Sequence, residues 1–190
     1  MLLFKDKKRV ESQNLIEAQE EKLSFSEVMT ILVNALKKSP ALTLTISGGV
    51  FYHIILGAAA FEQIWLVEER GFDRSVIAQI SGIIAVFAGL AGVLFGGLVS
   101  DWWLEKTNQG RPIFLFWLSL ILLPIGVIYR FVEPTTVIFW VGVVVGYFQL
   151  GCFYGPTFST VQELVPEKIR ATIVAFYILC INLIGLTIGS

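Results

Sequence analysis

The chain has 190 residues, 55% of them hydrophobic and 15% charged, with a formal net charge of −1. A water-soluble domain carries roughly 25% charged residues, so this much apolar surface excludes water as the main solvent and leaves lipid. The near-neutral charge argues against a nucleic-acid partner. One histidine and two cysteines in separate apolar runs point to no metal site and no cofactor.

The first forty residues are charged and polar, without the apolar stretch of a signal peptide. Ser24 followed by Glu27 is a capping-box pattern. Phe25, Val28 and Leu32 fall on one helical face, and Glu27, Thr30, Asn34 and Lys37 on another. This predicts an amphipathic helix on the membrane interface that stops before Pro40, after a solvated or fraying stretch over residues 1–20.

Five runs free of Asp, Glu, Lys and Arg follow, at residues 40–61, 75–100, 112–129, 134–162 and 171–190. The first reaches about residue 67 if Glu62 is tolerated. Each meets the roughly 17–25 residues a helix needs to cross a bilayer. Lipid cannot satisfy exposed backbone groups, and the runs do not alternate as barrel strands would. The expected fold is an all-α polytopic transmembrane helix bundle with spans near 40–67, 75–100, 112–129, 134–158 and 171–190, behind a linker over residues 1–39. Lys and Arg set the orientation. Seven lie in the linker and two in each of the loops 101–111 and 163–170, against Arg70, Arg74 and Arg130 elsewhere. The N-terminus and those two loops are therefore expected to be cytoplasmic in a multi-pass plasma- or inner-membrane protein.

Gly92 and Gly96 are four apart, as are Gly142 and Gly146, Gly151 and Gly155, and Gly185 and Gly189. Small residues at this spacing let helices approach closely inside lipid. They can serve packing alone or faces that rock during a transport cycle. Pro156 after Gly155 removes a backbone donor, so a kink or break is expected there. Cys152 and Cys180 read as small packing residues.

The stretch Gly96-Gly97-Leu98-Val99-Ser100-Asp101-Trp102-Trp103, continuing to Arg111, places an acid at the end of a glycine-rich helix and a base before the next. The second loop reads Gln162-Glu163-Leu164-Val165-Pro166-Glu167-Lys168-Ile169-Arg170, with Gly155-Pro156 before it and Asn182 and Gly185 after it. Together the two loops resemble those of the major facilitator superfamily of secondary transporters. With Glu69-Arg70-Gly71-Phe72, the resemblance is nearest to the spinster-like branch. It implies the C-terminal half of such a transporter, from the linker through helices seven to eleven, with an N-terminal six-helix bundle and a twelfth helix outside this chain. It departs from the family in one respect: Trp102 and Trp103 stand where a base usually follows the aspartate.

Asp101 is expected to cap a helix or pair with Lys106 or Arg111. A cytoplasmic latch of Asp101, Arg111, Glu163 and Arg170 follows from the two loops. Candidates for a substrate or proton pathway are His53, Glu62, Tyr52, Gln149 and Asn182, because polar groups inside lipid are costly and few. His53 has the ordinary pKa for proton exchange. It can also be a neutral residue bonded to a neighbouring helix. Glu62 can carry a proton or a cation, or simply reach the interface. Nine residues separate the two, opposite sides of a straight helix, so one of them rather than a dyad is expected to act. Gln149 and Asn182 can bind solute or clamp helices.

The function expected is secondary active transport by alternating access, with an amphipathic lipid-like or organic-anion solute and proton coupling. The alternatives are a truncated non-transporting membrane protein that associates with a partner, and a carrier of small polar metabolites. An enzyme is not expected, because no nucleophile, metal cluster or carboxylate pair has a usable spacing.

Overall fold

A computed structural model describes residues 24–59 and 61–189. Readings for residues 1–23, Ala60, Ser190 and the side chains of Phe25 and Val28 lie outside the described residues. Among the described residues the chain is helical, without strands, and five helices are long and apolar enough to cross a membrane.

The short helix α1 spans Phe25–Lys38. Its start is set by the expected capping box, in which the Ser24 N–H donates to Glu27 Oε2 at 2.8 Å. Leu32 on its inner face is buried, against Leu42, Ile46 and the start of the last span.

The first span is not one helix. The helix α2, Pro40–Ala59, ends before Phe61, and a second helix, α3, covers Glu62–Glu68. Glu62 is thus tolerated in the span by starting a new helix, where an acid is favoured by the helix dipole.

The helix α4 runs over Arg74–Thr107. Asp73 caps it by accepting from the Ser75 and Val76 N–H groups. Its end corrects the expectation that Asp101 closes the helix. Residues 101–107 contain no Gly or Pro, so the helix continues until Asn108 takes a left-handed conformation, φ 53°. At 1.5 Å per residue, 34 residues reach roughly 51 Å, well past a hydrocarbon core of about 30 Å. The charged turn from Asp101 onward lies on that overhang, and only residues 108–110 form a loop.

The helix α5, Arg111–Ile128, starts with Pro112 in its first turn, where the missing N–H costs nothing. The helix α6, Val137–Glu163, is capped by Thr136, whose Oγ1 accepts from the Phe139 N–H. Of the kink or break expected at Pro156, the break does not occur: the helix runs through the proline. Pro156 has no N–H for the Cys152 carbonyl, and Gly96 of α4 packs against that same carbonyl instead. Neighbouring helix contacts thus hold the proline turn in a continuous helix.

The last span begins with the helix α7, Arg170–Cys180, widens into a π-helical turn over Ile181–Leu186, and closes with α8, Thr187–Gly189. The central α6 packs against α4, α5, α2 and α7, while α2 packs along the π-helical turn.

Two close crossings tie the bundle. A methyl group built on Gly96 would lie 2.5 Å from the Cys152 carbonyl oxygen, and one on Gly92 would overlap the Phe148 carbonyl. Gly151 meets the Gly89 carbonyl from the opposite helix. At the second crossing a methyl on Gly185 would lie 2.5 Å from His53 Cβ, and one on Gly189 would overlap the Ile54 carbonyl. Only glycine permits these approaches. Gly146 and Gly97, by contrast, face open space. Apolar cores close both ends. Val161, Ile173 and Tyr177 pack at the end that bears Asp101, and Leu66, Phe139 and Val143 at the end that bears Glu62.

Candidate functional site

At the Asp101 end one guanidinium gathers two acids. Arg111 Nε donates to Asp101 Oδ1 at 2.7 Å, and its Nη1 to Glu163 Oε2 at 2.5 Å. The Arg111 side chain is 11% exposed, whereas the Asp101 and Glu163 side chains are 58% and 55% exposed. A largely covered base between two exposed acids is a charge-assisted link between the overhang of α4, the start of α5 and the end of α6. Arg170 is not in this group. It pairs with Glu167 on its own turn at 3.4 Å. Lys106, the other base considered for Asp101, makes no salt bridge among the described residues.

Inside the bundle the pathway candidates separate into two groups. His53 is buried, 2% exposed. Its Nδ1 lies 2.9 Å from the Gly49 carbonyl oxygen. A carbonyl only accepts, so Nδ1 carries the proton and Nε2 is left as an acceptor. Tyr154 Oη stands 3.5 Å from Nε2 and is the group able to donate to it. Both line a cavity of about 390 Å³ with Asn182, between α2, α6 and the last span. Asn182 Nδ2 donates to the Ile178 carbonyl of its own helix at 2.9 Å, so it clamps no other helix here.

Glu62, Tyr52 and Gln149 line a different cavity, of about 420 Å³, between α2, α5 and α6. Glu62 Oε1 accepts from the Tyr129 hydroxyl at 2.8 Å. Gln149 Nε2 donates to Ser119 Oγ at 3.1 Å and joins α6 to α5. Tyr52 stacks on Phe153 with ring centroids 4.2 Å apart. His53 and Glu62 therefore serve separate cavities, although the first span is interrupted between them.

The sequence reading left out the partners of these groups. Tyr129, Ser119 and the facing of Tyr154 come from helix rotation, which nothing in a run of Leu, Ile and Val encodes. It also left out the stacking of Arg70 and Arg130 on Trp65, with guanidinium carbons 4.7 and 5.3 Å from the ring centroid. Arg70 further donates to the Arg130 carbonyl. Among the described residues no group of three or more His, Cys, Asp or Glu could hold a metal ion.

A family model described as Major Facilitator Superfamily matches residues 1–190. The chain belongs to the Major Facilitator Superfamily. It is a multi-pass integral membrane protein and a membrane transporter of the major facilitator type. No curated protein and no solved structure matches it. Within this major facilitator fold, the loop acids and base singled out from sequence meet in one ion-paired group, and the buried histidine sits at a helix crossing.

Proposed function

We propose that the chain forms one helical bundle of a spinster-like secondary active transporter, which carries an amphipathic lipid-like or organic-anion solute by alternating access with proton coupling. A linker over residues 1–39 precedes the bundle, and the Asp101 end faces the cytoplasm in line with its excess of Lys and Arg. A second bundle completes the pathway. The single observation that carries proton coupling is the state of His53. It is a buried imidazole with one nitrogen fixed by a backbone carbonyl and the other turned to a tyrosine hydroxyl on a cavity. Protonation of Nε2 would turn it from acceptor to donor, reverse its bond to the Tyr154 hydroxyl and place a charge in a largely apolar wall. Solute or a rearranged helix must then answer that charge.

The Arg111 group supports a cytoplasmic latch, in which Asp101 and Glu163 hold the helix ends together in one state. Glu62 is a second carboxylate for the pathway, with Tyr129 as its donor.

The test uses membrane vesicles from cells that carry the intact gene or a disrupted one, so the protein acts in the form the cell makes. Labelled hexanesulfonate and hexylphosphocholine are offered under imposed pH gradients of both signs. Gene-dependent accumulation that a protonophore abolishes is the expected result. Equal uptake with and without the gene for both probes contradicts the proposal.

A further inference from the structure

A third cavity, of about 630 Å³, opens between α3, α4 and α6 at the Glu62 end, with Tyr147 as the wall it shares with the Gln149 cavity. Its volume falls within the roughly 300–1,000 Å³ of small-molecule sites. Five polar side chains line it: Gln63, Glu68, Arg74, Ser81 and Tyr147. Among the described residues none of the five makes a side-chain hydrogen bond or an ion pair. Ser81 is the informative one. It is 4% exposed, and its Oγ is buried with no partner. A hydroxyl hidden from water without a partner costs roughly 1–3 kcal/mol, so a buried orphan that lines a cavity marks a place where a ligand atom would be held.

The charges at the mouth restrict the ligand. Glu68 is the last residue of α3 and Arg74 the first of α4. Both are exposed, opposite in sign and not paired with each other. Ser81 lies seven residues beyond Arg74 on the same helix face, roughly 10 Å deeper at 1.5 Å per residue. The helix wall is small there: Ala78 lies between them, and a methyl group built on Gly82, next to Ser81, meets nothing within 4 Å. The layout is an acid and a base at the mouth, a hydroxyl at depth and apolar surface between.

We propose that this cavity binds an amphipathic zwitterion, with its cationic group at Glu68, its phosphate or carboxylate at Arg74 and a deeper polar atom on the Ser81 hydroxyl. The class deepens the transport reading by naming a cargo, while binding itself is measured without transport.

The experiment holds the chain in nanodiscs and reads saturation-transfer NMR of three probes of equal tail length: hexylphosphocholine, hexyl phosphate and hexyltrimethylammonium. Empty nanodiscs are subtracted. Saturable binding of hexylphosphocholine at least tenfold tighter than either single-charge probe is expected. Gly82→Phe should abolish it. Arg74→Gln should erase the preference over hexyltrimethylammonium, and Glu68→Gln the preference over hexyl phosphate. These two substitutions sit on the exposed rim and keep the proposal testable if Gly82→Phe does not insert. Equal affinity for the three probes, or preferences unmoved by the rim substitutions, overturns it. Competition by tail-less glycerophosphocholine identifies a free solute as the occupant. Its failure to compete while hexylphosphocholine binds identifies a lipid. Binding without gene-dependent uptake would overturn the transport reading and leave the site standing.

Discussion

Arg111 and Glu163 stand 52 residues apart in sequence and 2.5 Å apart in space, which fastens the start of α5 to the end of α6. With Asp101 on the same guanidinium, the overhang of α4, the start of α5 and the end of α6 share one nearly buried base. An exposed ion pair contributes about 0–1 kcal/mol, and more when one bidentate partner is held in place. Asp101→Asn and Glu163→Gln should each lower thermal stability slightly. Arg111→Ala should lower it most, because it leaves two facing carboxylates unneutralised. In the complete transporter Asp101→Asn should cut transport while membrane insertion is kept. Thermal shift and surface labelling check the first part, uptake the second, and unchanged uptake removes the latch.

Neighbouring glycines should respond in opposite ways. A side chain at Gly96 would collide with the Cys152 backbone, whereas one at Gly97 meets open space. Gly96→Leu should destabilise by about 3 kcal/mol or prevent insertion, since neither backbone can yield. Gly97→Ala should be neutral or stabilise by up to about 1 kcal/mol through helix propensity. Detergent-denaturation curves of the two variants make the comparison.

Much of this fold is legible in the chain because lipid imposes a single demand. A charge-free run of about twenty residues must become a helix, so all five spans follow from local chemistry, as does the Ser24 cap of the helix before them. The glycine pairs likewise announce close crossings. What stays hidden is rotation and local winding. The π-helical turn at Ile181–Leu186 and the interruption before Glu62 depend on which neighbour a helix meets. The apolar residues around them look alike to any one-dimensional reading. The end of α4 illustrates the converse error. Asp101 marks where the lipid stops and not where the helix stops, because Asp, Trp, Glu and Lys are all compatible with a helix in the headgroup layer.

Gln149 should behave as a clamp and not as a solute ligand. Its bond to Ser119 joins two spans, and interhelical hydrogen bonds in membranes average about 0.6 kcal/mol. Gln149→Leu should cost about that much, and Ser119→Ala should add nothing further once Gln149 is gone. A double-mutant cycle on thermal stability reads the coupling directly.

Tyr129→Phe removes the one donor that Glu62 has on the described chain. Glu62→Gln keeps an oxygen for Tyr129 to bond, so its effect on stability should be within about 0.5 kcal/mol. If Glu62 carries charge in the pathway, Glu62→Gln lowers pH-gradient-driven uptake of hexanesulfonate, while Tyr129→Phe, which keeps the carboxylate, lowers it less. Equal and unaltered uptake in both variants removes Glu62 from the pathway.

The most direct measurement places His53→Gln at the gene's own locus and follows hexanesulfonate and hexylphosphocholine in membrane vesicles, with and without a pH gradient. Glutamine offers a hydrogen-bonding side chain in the imidazole's place without a titratable nitrogen. Loss of gradient-driven accumulation, with downhill exchange retained, is the result that proton coupling through His53 predicts. Accumulation equal to that of the unaltered protein, with the same dependence on pH, would contradict it.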